Sequence, residues 1–215
     1  MAKKENTGIL YRIAGPVVMA KNLQARMYDV VYVGKERLMG EVIQVNKDLV
    51  TIQVYEDTSG LKPGEEVENS GQPLTVELGP GLLTSIYDGI QRPLPVLQKK
   101  QGDYILRGAH AAGLNQEKKW EFMPLVKKGD IVGPGSILGE VEETPGNFHK
   151  ILVPPTAKPS TIKEIMKGKY TVNDTIAILD DGTKLTMKQY WPVRKPRPIR
   201  EKLAPTVPLI TGQRI

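Results

Sequence analysis

Two Gly-Lys pairs are the first places to look for phosphate chemistry. A loop that cradles phosphates needs glycines for close backbone approach, a lysine for the terminal phosphates and a following Ser or Thr hydroxyl for magnesium. Gly34-Lys35 is followed by Glu36, and Gly168-Lys169 by Tyr170. Neither completes the set, and both read as turn glycines beside solvated lysines. Met166-Lys167 has the residue types that mark the biotinylated lysine of carrier domains. Carriers present that lysine at a hairpin tip between two half-motifs, whereas here it falls inside the second half-motif and Val153-Pro154-Pro155 holds the tip. His110 and His149 are the only histidines and lack further ligands at metal spacing. Asp180-Asp181 and Glu65-Glu66 pair carboxylates, but each adjoins a glycine and reads as a turn. No cysteine is present, which removes disulfides, thiolate metal sites and cysteine nucleophiles. The residues therefore predict no catalytic, cofactor-binding or metal-binding site within this chain.

If the side chains do no chemistry, the elements that would position them carry the information. Seventeen prolines and 21 glycines in 215 residues are too many for long helices and suit short strands with tight turns. Apolar runs recur at Gly8–Ile13, Val17–Met19, Tyr28–Val33, Leu38–Val45 and Leu49–Val54. Glu41–Val45 and Val50–Val54 nearly alternate apolar and polar residues, and Asn46-Lys47-Asp48 between them predicts a hairpin. Five or six short strands in residues 1–75 predict a closed barrel, which leaves no exposed edge. Leu82, Leu83, Ile86, Tyr87 and Ile90 stand at helical spacing, so a short helix is expected there, ended by Gly89, with Pro93 and Pro95 stopping any continuation.

A second β-rich unit is expected over residues 113–186. Lys128-Gly129-Asp130-Ile131-Val132 is echoed about forty residues later by Lys167-Gly168-Lys169-Tyr170-Thr171-Val172, and each precedes an apolar strand. Paired half-motifs of this kind resemble the flattened β-sandwich of biotinyl and lipoyl carrier domains. Asp181-Gly182 predicts a type I′ turn pairing Ile176–Leu179 with Lys184–Met187. Residues 76–112 link the two units, and residues 187–215, with five prolines after Tyr190, should be mostly extended. Between Lys188 and Lys202 six basic residues face one acid, Glu201, so this stretch carries +5 of the chain's net +6. Charge confined to a Pro-rich stretch reads as a solvated or subunit-contacting linker, with a nucleic-acid-binding barrel as the alternative. No run reaches the roughly 18 apolar residues of a membrane span, and the polar start predicts a cytoplasmic protein without a leader.

Longer stretches carry a resemblance. Gly15-Pro16-Val17-Val18, Tyr32-Val33-Gly34 with Leu38-Met39-Gly40-Glu41-Val42-Ile43, Tyr55–Leu61 and the run Leu78–Leu94 resemble the N-terminal part of the catalytic A subunits of A-type/V-type rotary ATPases. Trp120-Glu121-Phe122, Lys128-Gly129-Asp130, Gly139-Glu140-Val141, His149–Pro155, Tyr170-Thr171-Val172 and Trp191–Pro198 resemble the inserted "bulge" (the non-homologous region) of those subunits. The resemblance implies a six-stranded crown barrel over 1–75, a connector opening the nucleotide-binding domain over 76–112, a bulge sandwich over 113–186 and a return segment over 187–215. Thr211-Gly212-Gln213-Arg214 is similar to the family's lead into the nucleotide-binding domain, where the phosphate loop, catalytic glutamate and magnesium-coordinating acid follow. It further implies ATP, ADP and magnesium as cofactors of the intact subunit but none here, so that this chain alone should be inactive. The implied partners are alternating B subunits in a ring of three A and three B, peripheral-stalk subunits near the bulge and the central stalk. Contact with a membrane would come only through the assembled complex, and nucleic acid is not implied.

Overall fold

The computed structural model describes residues 6–197, 199, 201–210 and 212. Six strands, β1 (Thr7–Ala14), β2 (Val17–Lys21), β3 (Asp29–Val33), β4 (Leu38–Asn46), β5 (Leu49–Val54) and β6 (Glu66–Pro73), close into a barrel of order β1-β2-β5-β4-β3-β6. Period-2 alternation fills it: Leu10, Val18, Ala20, Val42, Val50, Ile52, Val54 and Val67 point inward and are buried. β4 and β5 form the expected hairpin, with Glu41 opposite Gln53 and Val45 opposite Val50. β6 closes the ring by pairing with both β1 and β3. Its sequence, EVENSGQP, offers one inward apolar residue, Val67, so hydrophobic pattern alone gives it no distinct run.

After the barrel come β7 (Thr75–Leu78) and, alone among the described residues, a helix, α1 (Leu94–Gln101). The helix expected over Leu82–Ile90 is not formed. Leu83 and Ile86 there are 63 % and 66 % exposed, and a bridge joins Tyr87 to Pro93. Asp88 explains the difference: its Oδ1 accepts the backbone N–H groups of Ile90 (3.1 Å) and Arg92 (2.8 Å), closing a turn where a helix would continue. The prolines expected to stop a helix start one instead. Pro93 is the N-cap and Pro95 lies in the first turn, where the missing N–H has no intrahelical partner to lose.

The remaining strands are β8 (Trp120–Pro124), β9 (Ile131–Val132), β10 (Ile137–Thr144), β11 (Asn147–Leu152), β12 (Ser160–Ile165), β13 (Gly168–Tyr170), β14 (Thr175–Leu179), β15 (Lys184–Thr186) and β16 (Gln189–Pro192). They make two four-stranded sheets, β11-β10-β8-β13 and β15-β14-β12-β9. Phe122, Leu138, Val141 and Ile151 from the first meet Val132, Ile162, Ile176, Leu179 and Leu185 from the second in one core. The two echoed half-motifs supply β9 to one sheet and β13 to the other, and the valine ending each, Val132 and Val172, is buried in the shared core. β14 and β15 pair as expected, but the turn is not type I′. Only Gly182 takes a positive φ (83°), the Gly182 N–H reaches Leu179 O at 2.9 Å, and the Leu179 N–H reaches Thr183 O at 3.0 Å. That is a type I turn followed by a left-handed glycine, which spares Asp181 the positive φ a type I′ turn would demand.

Candidate functional site

Polar groups converge where the sandwich joins the barrel. β7 and β16 pair antiparallel, Glu77 opposite Tyr190 and Val76 opposite Trp191, so the entry and exit of the sandwich are clamped as a two-stranded neck. The outer edge of β7 is completed by a side chain: the Gln91 amide accepts from Glu77 N–H (2.6 Å) and donates to Glu77 O (2.7 Å). The Glu77 carboxylate accepts the Leu114 N–H (2.8 Å) and meets Lys188 Nζ at 3.4 Å. Burial pulls the Lys188 ammonium down, but its bond to Tyr190 and the charge of Glu77 outweigh that and leave its pKa above the ordinary lysine value.

On the other side of the neck three barrel carboxylates meet three arginines. Arg194, just past β16, grips buried Glu41 of β4 with two bonds, Nε to Oε1 at 2.9 Å and Nη2 to Oε2 at 2.5 Å, and lies 4.3 Å over the Tyr28 ring. Burial and the adjacent Glu41 carboxylate push the Tyr55 phenol up to about 12. Arg92 reaches Glu56 at 3.5 Å, Asp88 at 2.6 Å and Ala109 O at 3.1 Å. Burial alone would raise Asp88, but the N–H groups of Arg92 and Ile90 and the guanidinium hold it below the usual aspartate range. Arg107 pairs with Glu36 at 3.1 Å and donates to Ser59 O. Beside it Gly108 gives its N–H to Glu56 at 2.8 Å, and with φ +67° it passes so close to Glu36 O that a Cβ would collide with it.

On the sandwich side Glu143 ends the inward stripe of β10. Its side chain is 1 % exposed, accepts the N–H groups of Gly81 (2.6 Å) and Leu83 (3.1 Å), and meets His149 Nδ1 at 2.9 Å. Burial raises its carboxyl, but these donors prevail and leave it below the ordinary glutamate value.

The residues singled out by type are scattered. His149 serves Glu143, while His110 stacks edge-on against Tyr32 with ring centroids 5.6 Å apart. Asp181 accepts Thr183 N–H in its turn, and Asp180 donates its own N–H to Thr161 O. Glu65 accepts the N–H groups of Lys62 and Lys35, and Glu66 opens β6. Lys167 lies 3.6 Å from Glu121 on the surface. The Lys35 N–H faces the Glu65 carboxylate in its turn, whereas Gly168-Lys169, expected as a turn, is instead extended in β13, paired with β8. Among the described residues no three acidic or histidine side chains converge as metal ligands. Of the basic stretch, Lys188 is nearly enclosed beside Glu77, Arg194 pairs from the surface with covered Glu41, and Lys195 and Arg197 lie over Trp191, so this part is folded against the neck. Thr211, Gln213 and Arg214, part of the expected lead into a nucleotide-binding domain, lie outside the described residues. Sequence reading passed over Glu41, Glu56, Glu77, Glu143, Arg92 and Arg107, because an acid or arginine in a polar run carries no mark of burial.

The chain thus carries a six-stranded barrel followed by a two-sheet sandwich on a paired neck, and both units match known domain families. Residues 10–71 match the model of the ATP synthase alpha/beta family, beta-barrel domain, and residues 111–194 that of the ATPsynthase alpha/beta subunit barrel-sandwich domain. The A subunit of the A-type ATP synthase of Methanoregula boonei is 61 % identical over 214 residues, covering 100 % of this chain and 36 % of that protein. The A 1 subunit of the Methanospirillum hungatei JF-1 enzyme is 60 % identical over 215 residues, 100 % of this chain and 37 % of that one. Its counterpart from Natronomonas pharaonis is 53 % identical over 208 residues, 97 % of this chain and 36 % of that one. The chain belongs to the family of A-type ATP synthase A subunits and corresponds to their N-terminal part. It spans 36–37 % of the length of these curated relatives. No helix among the described residues is long and apolar enough to cross a membrane.

Proposed function

We propose that this chain is the supporting front end of the catalytic subunit of an A-type ATP synthase. Its barrel serves side-by-side assembly of the head, and its sandwich projects outward as a contact for the peripheral stalk. The whole subunit would couple ATP synthesis or hydrolysis to proton or sodium transport, alternating with B subunits around a central stalk on the cytoplasmic side of the membrane. ATP and magnesium would be held by residues outside this chain, because neither of its Gly-Lys pairs is followed by the Ser or Thr that a phosphate loop needs. One observation carries the reading: a match at 61 % identity covers 100 % of the chain, so barrel, neck and sandwich all fall within it. A module that shared only a barrel would lose that identity at the neck. The test is mixing with purified B subunits. A stable complex on analytical gel filtration, together with no saturable micromolar ATP binding by calorimetry, is expected. ATP binding by the chain alone, or no association with B subunits at any concentration, would refute it.

A further inference from the structure

We propose that Arg92, Arg107 and Arg194 interlock the barrel with the neck, so that the sandwich cannot swing relative to the barrel, and that Arg194 is the positioning residue of the interlock. The interlock does not depend on which subunits the chain assembles with. The covalent links between barrel and sandwich are short: β7 begins two residues after β6, and the return strand β16 never re-enters the barrel. The two hydrophobic cores share no residue, so apolar packing does not fuse them. What joins them is polar and directional. Arginines from three separate segments of connector and neck reach Glu56, Glu36 and Glu41 on one side of the barrel. Three contacts at separate points remove hinge freedom that one contact would leave. The pairs differ in burial, with Glu56 and Arg92 nearly enclosed and Arg107 with Glu36 at the surface.

Arg194 sits at the decisive point. It follows β16 by two residues, and the Val193 N–H continues the ribbon by bonding to Leu74 O at 2.9 Å. The guanidinium fork then takes both oxygens of Glu41, while the Tyr28 ring fixes its plane from one face. A planar fork on a carboxylate sets an angle as well as a distance, which a lysine ammonium would not. Glu41 belongs to the outer side of β4 and would be solvated without that cover; its neighbours in the inward stripe are Gly40 and Val42. Glu41 is covered while the Arg194 side chain is 52 % exposed, so the fork contributes direction more than energy.

The chain has no native cysteine, so two spin labels can be placed uniquely at Asp48→Cys, in the β4–β5 turn, and Lys163→Cys, on β12. Pulsed electron resonance on the full chain should give one narrow distance. Arg194→Ala should broaden the distribution at least about twofold, a change expected of a released hinge, while amide exchange of Val18 and Ile52 in the barrel stays protected. Arg194→Lys should broaden it less, and Glu41→Gln should reproduce the alanine result should Arg194→Ala fold poorly. An unchanged distribution in both Arg194→Ala and Glu41→Gln overturns the proposal. So does broadening accompanied by loss of protection inside the barrel, because Arg194 would then be holding up the barrel's own fold. Neither result bears on ATP or B-subunit binding, so the interlock and the functional proposal fail separately.

Discussion

Replacing Glu143 by alanine should detach the connector turn from the sandwich. The carboxylate takes two backbone N–H groups from Gly81 and Leu83 and one contact from His149, with 1 % of the side chain exposed. Hydrogen bonds to a charged group contribute about 1.5–3 kcal/mol each, and a buried donor left without a partner costs about 1–3 kcal/mol. The turn can recover part of this by peeling into water, so the expected loss is about 3 kcal/mol, or roughly 6–12 °C in Tm for a chain of this size. Glu143→Gln keeps a neutral acceptor and should cost about half as much, and His149→Ala about 1 kcal/mol. The assay is urea unfolding followed by Trp120 fluorescence. A Cβ on Gly81 would lie 3.4 Å from the Trp120 ring, so the indole senses the turn directly. Trp191→Phe removes the only other tryptophan. The pH dependence gives a second reading. The folded carboxyl is held below its unfolded value, so its contribution is complete above about pH 4.3 and is lost as pH falls through the folded pKa. The stability gap between wild type and Glu143→Gln should therefore shrink below about pH 4. A Glu143→Ala midpoint within about 0.5 kcal/mol of wild type, or a gap that widens in acid, would refute the account.

Phe122→Ala removes a fully buried ring from the sandwich core and should destabilise it by about 3–5 kcal/mol in chemical unfolding. Gly108→Ala puts a Cβ against Glu36 O at a left-handed φ and should cost at least about 2 kcal/mol, with increased amide exchange in residues 103–110. Residues 113–188 expressed alone should unfold cooperatively with native near-ultraviolet dichroism; Met187 belongs to this core, which is why the segment extends past residue 186. A molten spectrum would count against an independent sandwich.

Strands whose inward residues are apolar at every second position were legible in residues 7–54, because burial on one face of a pleated sheet imposes that period on the sequence. The hairpin turn at Asn46-Lys47-Asp48 and the echo between Val132 and Val172 were legible for the same reason: local geometry and repeated burial leave local marks. That neither Gly-Lys pair is followed by Ser or Thr was legible directly, because a phosphate loop needs those residues adjacent. β6 was faint, since a strand with one inward valine leaves almost no period. The helix was misplaced because apolar spacing over Leu82–Ile90 speaks only of propensity, whereas the Asp88 carboxylate closing on two N–H groups decided the backbone there. The neck lay beyond local reading altogether. Glu41 and Arg194 are 153 residues apart, and Glu143 receives its donors from residues 60 and 62 positions away. A carboxylate's burial depends on which distant donors the fold brings to it, and neither its type nor its neighbours in the chain encode that. Residue order settled which strands with a clear period could form. Only folding in three dimensions chose the charges that would hold barrel and sandwich together.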